Sequence, residues 1–347
     1  MKYRTLGRTG LEISEIGLGG HEYRRKHLVA DGRFTSFDPS RPIVVAEAIE
    51  RGINYFDTTF IEECHSLGNS IRSANLDRSK MVISGMSIST LKRVAEVDRS
   101  RRRRFLENEL NERLQLIGSD YFDIFQICCL ESGYSEVVLD EVLESMQAWK
   151  SDGRIRFLGA SSHDSDLLSR VIEERDPFDV VMARCNFNEG RHERLFSAVS
   201  ERNVGFIAIK PLVWFDYGVS FVPLCRSIIE RWPRRQPTAA QHAIAWILSN
   251  SEVSTTIPSA NSIEEMRENA QSSDIQTGSI DIELLKSCAG LPNRSEEMID
   301  LLDHPFEEVR SYAKPAVVRA VNADFGFEKA RYREILVQSD QNDVIGA

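Results

Sequence analysis

Asp120-Tyr121-Phe122-Asp123-Ile124-Phe125-Gln126-Ile127-Cys128-Cys129 is a nearly continuous apolar run. An amphipathic stretch, Glu136–Trp149, follows it, and then a second run, Ile155-Arg156-Phe157-Leu158-Gly159-Ala160-Ser161. A strand with one wet face alternates apolar and polar residues, whereas runs this apolar belong to strands covered on both faces. Two such strands joined by a helix make a parallel βαβ unit. Working outward, the same alternation recurs at Glu15–Gly19, Ile53–Thr59, Met81–Ser87, Val180–Asn186, Gly205–Leu212 and Ser254–Pro258, giving eight candidate strands, each followed by a stretch able to form a helix. Eight units over about 270 residues is the arithmetic of a (β/α)8 TIM barrel in the α/β class. A doubly wound sheet is the alternative. Against it, Gly17-Leu18-Gly19-Gly20 lacks the third glycine and the following helix of a dinucleotide-binding turn.

Two segments fall outside this rhythm. His21–Pro42 is a polar, basic insertion after the first strand, which in a barrel lies at the C-terminal face where active sites are built. Gly278–Ala347 follows the eighth unit and reads as helices, so the expected division is a barrel over residues 1–277 and a helical extension over 278–347. The run Arg101–Arg104 reads as a solvated helix face.

The 347 residues carry 43 Lys+Arg against 53 Asp+Glu, a net charge of −10, which argues against nucleic acid as a partner. No apolar run approaches the roughly 20 residues of a membrane span, and the first residues form no secretory signal. The six cysteines form no CxxC pair; only Cys128 and Cys129 adjoin. Reduced thiols in a cytoplasmic protein are expected. The expected partner is a small molecule, an anionic one among the options, with self-association open to the C-terminal helices.

Motifs spread in order over residues 1–275 resemble those of the aldo-keto reductase superfamily: Tyr3-Arg4-Thr5-Leu6-Gly7-Arg8-Thr9-Gly10 with Ile16-Gly17-Leu18-Gly19, Gly52-Ile53-Asn54-Tyr55-Phe56-Asp57-Thr58, Asp120–Ile127, Gly153–Ser161, Lys210-Pro211-Leu212, and Ile257-Pro258-Ser259-Ala260 with Arg267-Glu268-Asn269. The resemblance implies the barrel, an N-terminal hairpin, and carbonyl reduction with NADPH. It also implies a tetrad: a tyrosine that gives the proton, a lysine that lowers its pKa, an aspartate paired with the lysine, and a histidine that orients the carbonyl. At those positions this chain has Asp57 for the aspartate, Glu62 for the tyrosine, Met86 for the lysine and Cys128 for the histidine. The positions implied to hold the cofactor read Ser161, Ser162, Met182, Asn186, Lys210, Ser259, Glu265 and Asn269. NAD(P)H, or no cofactor at all, is the expectation, since no basic residue meets the 2′-phosphate.

The ionisable residues at strand ends are the candidates for chemistry: Asp57, Glu62, Glu63, His65, Cys128, His163 and Arg184, with His21, Glu22, Lys210 and Trp214 nearby. Strand alternation turns Met182, and hence Arg184, inward, where the guanidinium could pair with Asp57 or clamp an anion. No HxH or HxxxH spacing supports a metal site. The expected function is acid/base chemistry without reduction, of lyase, dehydratase, isomerase or cyclase type, using Glu62 or His163. The alternatives are an NAD(P)H-dependent oxidoreductase with an unusual proton donor, and a non-catalytic binding or regulatory protein.

Overall fold

A computed structural model describes residues 1–20, 40–87, 90–187, 192–212, 237–260 and 262–289, with the backbone alone at 27–28, 34–35 and 286–289. The chain opens on an antiparallel hairpin of β1 (Tyr3–Thr5) and β2 (Glu12–Ser14), paired Tyr3↔Ser14 and Thr5↔Glu12. Within the expected basic insertion the backbones of β3 (His27–Leu28) and β4 (Phe34–Thr35) pair antiparallel. The remainder of that insertion, with His21 and Glu22, lies outside the described residues, as does Trp214.

Strands and helices then alternate: α1 (Arg41–Glu50), β5 (Tyr55–Thr58), α2 (Ile61–Ser73), β6 (Val82–Ser87), α3 (Leu91–Glu96), α4 (Arg99–Ile117), β7 (Phe122–Ile127), α5 (Glu136–Ser151), β8 (Ile155–Ser162), α6 (Ser165–Glu174), β9 (Val180–Arg184), α7 (Glu193–Arg202), β10 (Gly205–Ile209), α8 (Ala239–Leu248), β11 (Thr255–Thr256), α9 (Ile263–Gln271) and α10 (Ile282–Ala289). Helix starts carry their own signals. Thr90, Asp98, Ser135, Asp164, Thr238 and Ser262 each accept a backbone N–H from the first turn that follows.

Strands β5 to β11 form one parallel sheet in chain order. Its two edges are joined by the segment around Gly17. Ile16 bridges Thr256 and Leu18 bridges Phe56, Gly17 N donates to Thr256 O at 2.8 Å and Leu18 N to Tyr55 O at 2.9 Å. This segment is the eighth stave and closes the barrel, which leaves no sheet edge open. Gly17 permits the close approach: a Cβ there would lie 2.8 Å from the Tyr55 ring and 2.9 Å from Ile257.

Alternation divides the apolar residues into two layers. Tyr55, Val82, Met86, Ile124, Cys128, Val180, Met182, Ile207 and Ile257 fill the barrel, with Leu6 and Ile13 of the hairpin entering from the N-terminal end. Met182 therefore points inward as the sequence implies. Phe56, Ile83, Phe125, Leu158, Val181 and Phe206 point outward under the helices. The arginine run of α4 is only partly a solvated face. Arg101, Arg103 and Arg104 are exposed, but Arg102, with Arg99, clamps Glu141 of α5.

The last strand is fixed to the first helix through charge. Buried Glu47 of α1 accepts from Arg267 of α9 at 2.8 and 3.1 Å and from Arg51 at 2.7 Å. Arg267 first, and Arg51 second, hold the Glu47 carboxyl at about 2 against an ordinary 4.5. A carboxyl depressed in the folded state stabilises fully above its unfolded value and loses that contribution as pH falls toward about 2. Both guanidinium groups are near half exposed (48% and 45%), so screening keeps the contribution to about 1 kcal/mol. Glu47→Gln is expected to lower the urea midpoint at pH 7 and to match the parent near pH 2; an equal deficit at both pH values would show that packing, not charge, is lost.

Beyond residue 277 the described chain holds α10, whose Leu284 and Leu285 pack on Ala239, Ala240 and Ala243 of α8. His242 of α8 takes part, its Nδ1 accepting from Asp281 N at 3.2 Å. This histidine is buried packing, and burial lowers its pKa. The remainder of the expected extension lies outside the described residues.

Candidate active site at the C-terminal rim

The C-terminal ends of β5 to β10 bring most of the candidate residues to one rim. Asp57 ends the inward face of β5; it is buried, and its Oδ2 lies 3.4 Å from Thr59 Oγ1. Met86 ends β6 and Cys128 follows β7, both buried in the barrel's interior cluster. The Cys128 thiol contacts Cys129, Sγ to Sγ 3.5 Å. That contact first, and burial second, push it far above the ordinary thiol range, so it stays protonated at neutral pH.

Glu62, Glu63 and His65 form the first turns of α2. Glu63 is fully buried and reaches back to the chain, accepting from Thr59 N at 2.6 Å and Phe60 N at 3.2 Å. It is a helix cap rather than a free carboxylate. Glu62, one residue earlier, is exposed. His65 is half-buried and its Nε2 accepts from the Asn69 amide at 3.2 Å, one turn along the same helix.

His163 and Arg184 meet. The parallel register sets Ser162 beside Ala183, so the next residues along β8 and β9 adjoin. Arg184 Nη2 lies 3.2 Å from His163 Nδ1. A guanidinium has only donors, so Nδ1 must be the acceptor and the ring is neutral, its proton on Nε2. His192 supports this pair from behind: its Nε2 lies 2.9 Å from Arg184 O and its Nδ1 3.0 Å from Ser165 Oγ. Since a carbonyl can only accept, His192 carries a proton on Nε2. Nothing in its sequence position signals this role. Among the described residues no direct ion pair joins Asp57 to Arg184, one of the two roles the sequence left open for that arginine.

The residues implied to hold a cofactor are partly committed to the fold. Ser162 Oγ donates to Leu130 O at 2.6 Å and accepts from Asp164 N at 3.0 Å. Ser161 Oγ accepts from Cys129 N at 3.0 Å. Asn186 is buried beside Lys210, its Nδ2 3.4 Å from Lys210 O, and Lys210 has a left-handed backbone, φ 56°. Asn269 donates to Ser259 O at 3.2 Å and so ties α9 to the strand end before it. The first turn of α9 presents two exposed carboxylates, Glu264 and Glu265, behind the Ser262 cap. Carboxylates accept hydrogen bonds from hydroxyls and repel a phosphate.

The sequence pattern of the Aldo/keto reductase family matches residues 15–214. The chain is 24% identical over 294 residues to L-galactose dehydrogenase of Arabidopsis thaliana, a match covering 78% of this chain and 87% of that one. It is 23% identical over 343 residues to the NADH-specific methylglyoxal reductase of Escherichia coli (strain K12), covering 83% and 98%. Aldo-keto reductase AKR11C1 from Bacillus halodurans shares the fold at a TM-score of 0.62 and 18% identity, over 85% of this chain and 99% of that one. These relatives are named as a dehydrogenase and a reductase. They overturn the expectation of lyase, dehydratase, isomerase or cyclase chemistry, which rested on which tetrad side chains were present and not on any substrate-directed feature. No described helix is long and apolar enough to cross a membrane.

Proposed function

Because the chain belongs to the aldo/keto reductase family, we propose that it is a nicotinamide-dependent oxidoreductase that interconverts a small carbonyl compound and its alcohol at the C-terminal rim, with Arg184 and His163 handling the oxygen. The observation that carries this reading is the contact between those two residues at neighbouring strand ends. A bound nicotinamide cofactor supplies or takes the hydride. Everything else falls to the chain's own groups. The oxygen of a reacting carbonyl gains negative charge, and a fixed guanidinium in a half-buried site stabilises that charge more than water does. His163, neutral and with Nε2–H as its donor, orients the same oxygen, as a neutral imidazole can. The Cys128 thiol is shielded by burial, so in this reading the final proton comes from solvent at the rim. This site is atypical for the family in having Glu62, Met86 and Cys128 at three tetrad positions.

The cofactor favoured is NADH. Ser259 supplies no charge to a 2′-phosphate, Glu264 and Glu265 oppose one, and the nearest helix cation, Arg267, is spent on Glu47. The NADH-specific relative agrees with this. Titration by nicotinamide fluorescence is expected to give NADH at least a roughly 10-fold lower Kd than NADPH, a difference of about 1.4 kcal/mol. Ser259→Arg with Glu265→Arg is expected to close that gap. Failure of both dinucleotides to bind at millimolar concentration, together with no turnover of small aldehydes, ketones or sugars, would overturn the proposed activity; equal affinities would overturn only the preference.

A further inference from the structure

We propose that Cys128, Cys129 and Met86 form a binding site for a soft d10 cation of the copper(I) class at the barrel rim. The inference does not depend on the proposed oxidoreductase activity. Adjacent residues of a strand point to opposite faces. Just past the end of β7 that constraint lapses: Cys129 has a left-handed backbone, φ 48°, and the two sulfurs lie 3.5 Å apart. Left-handed geometry at a residue other than glycine costs about 1–2 kcal/mol and persists only where the surroundings impose it. Here Ser161 helps to impose it, its Oγ accepting from Cys129 N at 3.0 Å.

The separation decides between two fates for a thiol pair. A disulfide needs about 2.0 Å between sulfurs and usually at least about 4.4 Å between Cα atoms, which a trans peptide holds at about 3.8 Å. Two metal–thiolate bonds of about 2.3 Å at a tetrahedral angle span about 3.8 Å, close to the spacing present. A third sulfur is at hand. The same Ser161 Oγ lies 3.6 Å from Met86 Sδ, and Met86 and Cys128 share the interior cluster. Two thiols and a thioether are the donors that select soft cations. Among the described residues no three His, Cys, Asp or Glu side chains converge as a metal site, so a hard cation finds no set here. Buried Asp57, close enough for its charge to oppose ionisation of Cys128, adds attraction for a cation. On binding, each thiol releases its proton to solvent as its sulfur–metal bond forms, and no oxidation state changes.

The test is an anaerobic titration of the full chain with copper(I) against a chromophoric chelator, after Cys225→Ser and Cys288→Ser have removed two sulfurs remote in sequence. Cadmium(II) serves as a second probe through its sulfur-to-metal absorption. One ion per chain is expected, with release of about two protons. Cys129→Ser is expected to weaken copper(I) binding by at least roughly 100-fold, and Met86→Leu by about 10-fold, with circular dichroism unchanged. Should Cys129→Ser fail to fold, the Met86→Leu result and the cadmium absorption of the parent decide. Unchanged affinity in these variants, or no stoichiometric binding by the parent, would overturn the site. So would absorption that disappears only with Cys64→Ser or Cys185→Ser, since both thiols sit in the outer layer.

Discussion

Arg184→Met is expected to lower kcat/KM for carbonyl reduction by roughly 10²–10³-fold, the usual consequence of removing a donor aimed at a developing oxyanion. The loss should fall mainly on kcat, because the guanidinium interacts more strongly with the charged transition state than with the neutral carbonyl. Methionine keeps most of arginine's apolar stem, so the packing at the end of β9 is largely retained. Arg184→Lys should recover little: the ammonium cannot reproduce the planar fork that meets His163 and still offers donors elsewhere. The NADH Kd should stay within about 2-fold, since in this reading Arg184 meets the substrate oxygen and not the dinucleotide. Steady-state kinetics and fluorescence titration of the same preparations check both halves. A variant with parental kcat would remove Arg184 from the chemistry and with it the reading of the Arg184–His163 pair.

Gly68→Ala is expected to cost about 3 kcal/mol or more, corresponding to a fall in Tm of roughly 5–10 °C. Gly68 lies on α2 where it crosses α4. A Cβ there would sit 2.1 Å from Leu116 O and 2.9 Å from the Ile117 Cα. Those atoms are backbone of α4, so a flexible side chain cannot swing away to make room; the helices must separate, opening the outer apolar layer around Cys64, Leu67 and Leu114. Gly133→Ala is the control. Its φ is 79° but the space around it is open, so it should cost only the left-handed strain of about 1 kcal/mol. Thermal denaturation of both variants measures the contrast. Equal, small shifts would mean that α2 and α4 can move apart without penalty.

The relation between sequence and structure differs from residue to residue. Six of the apolar runs contain their strands, trimmed by a few residues at the ends, because a strand buried on both faces must be apolar on both; β8 runs one residue past its run, to Ser162, and the Glu15–Gly19 run pairs through two isolated bridges. The two-residue alternation likewise places Met86, Cys128 and Met182 inside. Helix α2 starts at Ile61, where Glu63 caps it from within the first turn.

The sequence alone determined the (β/α)8 architecture, the inward residues and the family, since all three depend on periodicity and local motifs carried along one strand at a time. Tertiary structure alone decided which strand ends face each other. Register between β8 and β9 put His163 against Arg184, where charge reasoning had left that arginine between Asp57 and a bound anion. A single left-handed residue put Cys129 beside Cys128, where alternation would have turned the two thiols apart. Hydrophobic pattern is a one-dimensional signal; the register between strands and a local change in φ leave no trace in it, and the chemistry at this rim depends on both.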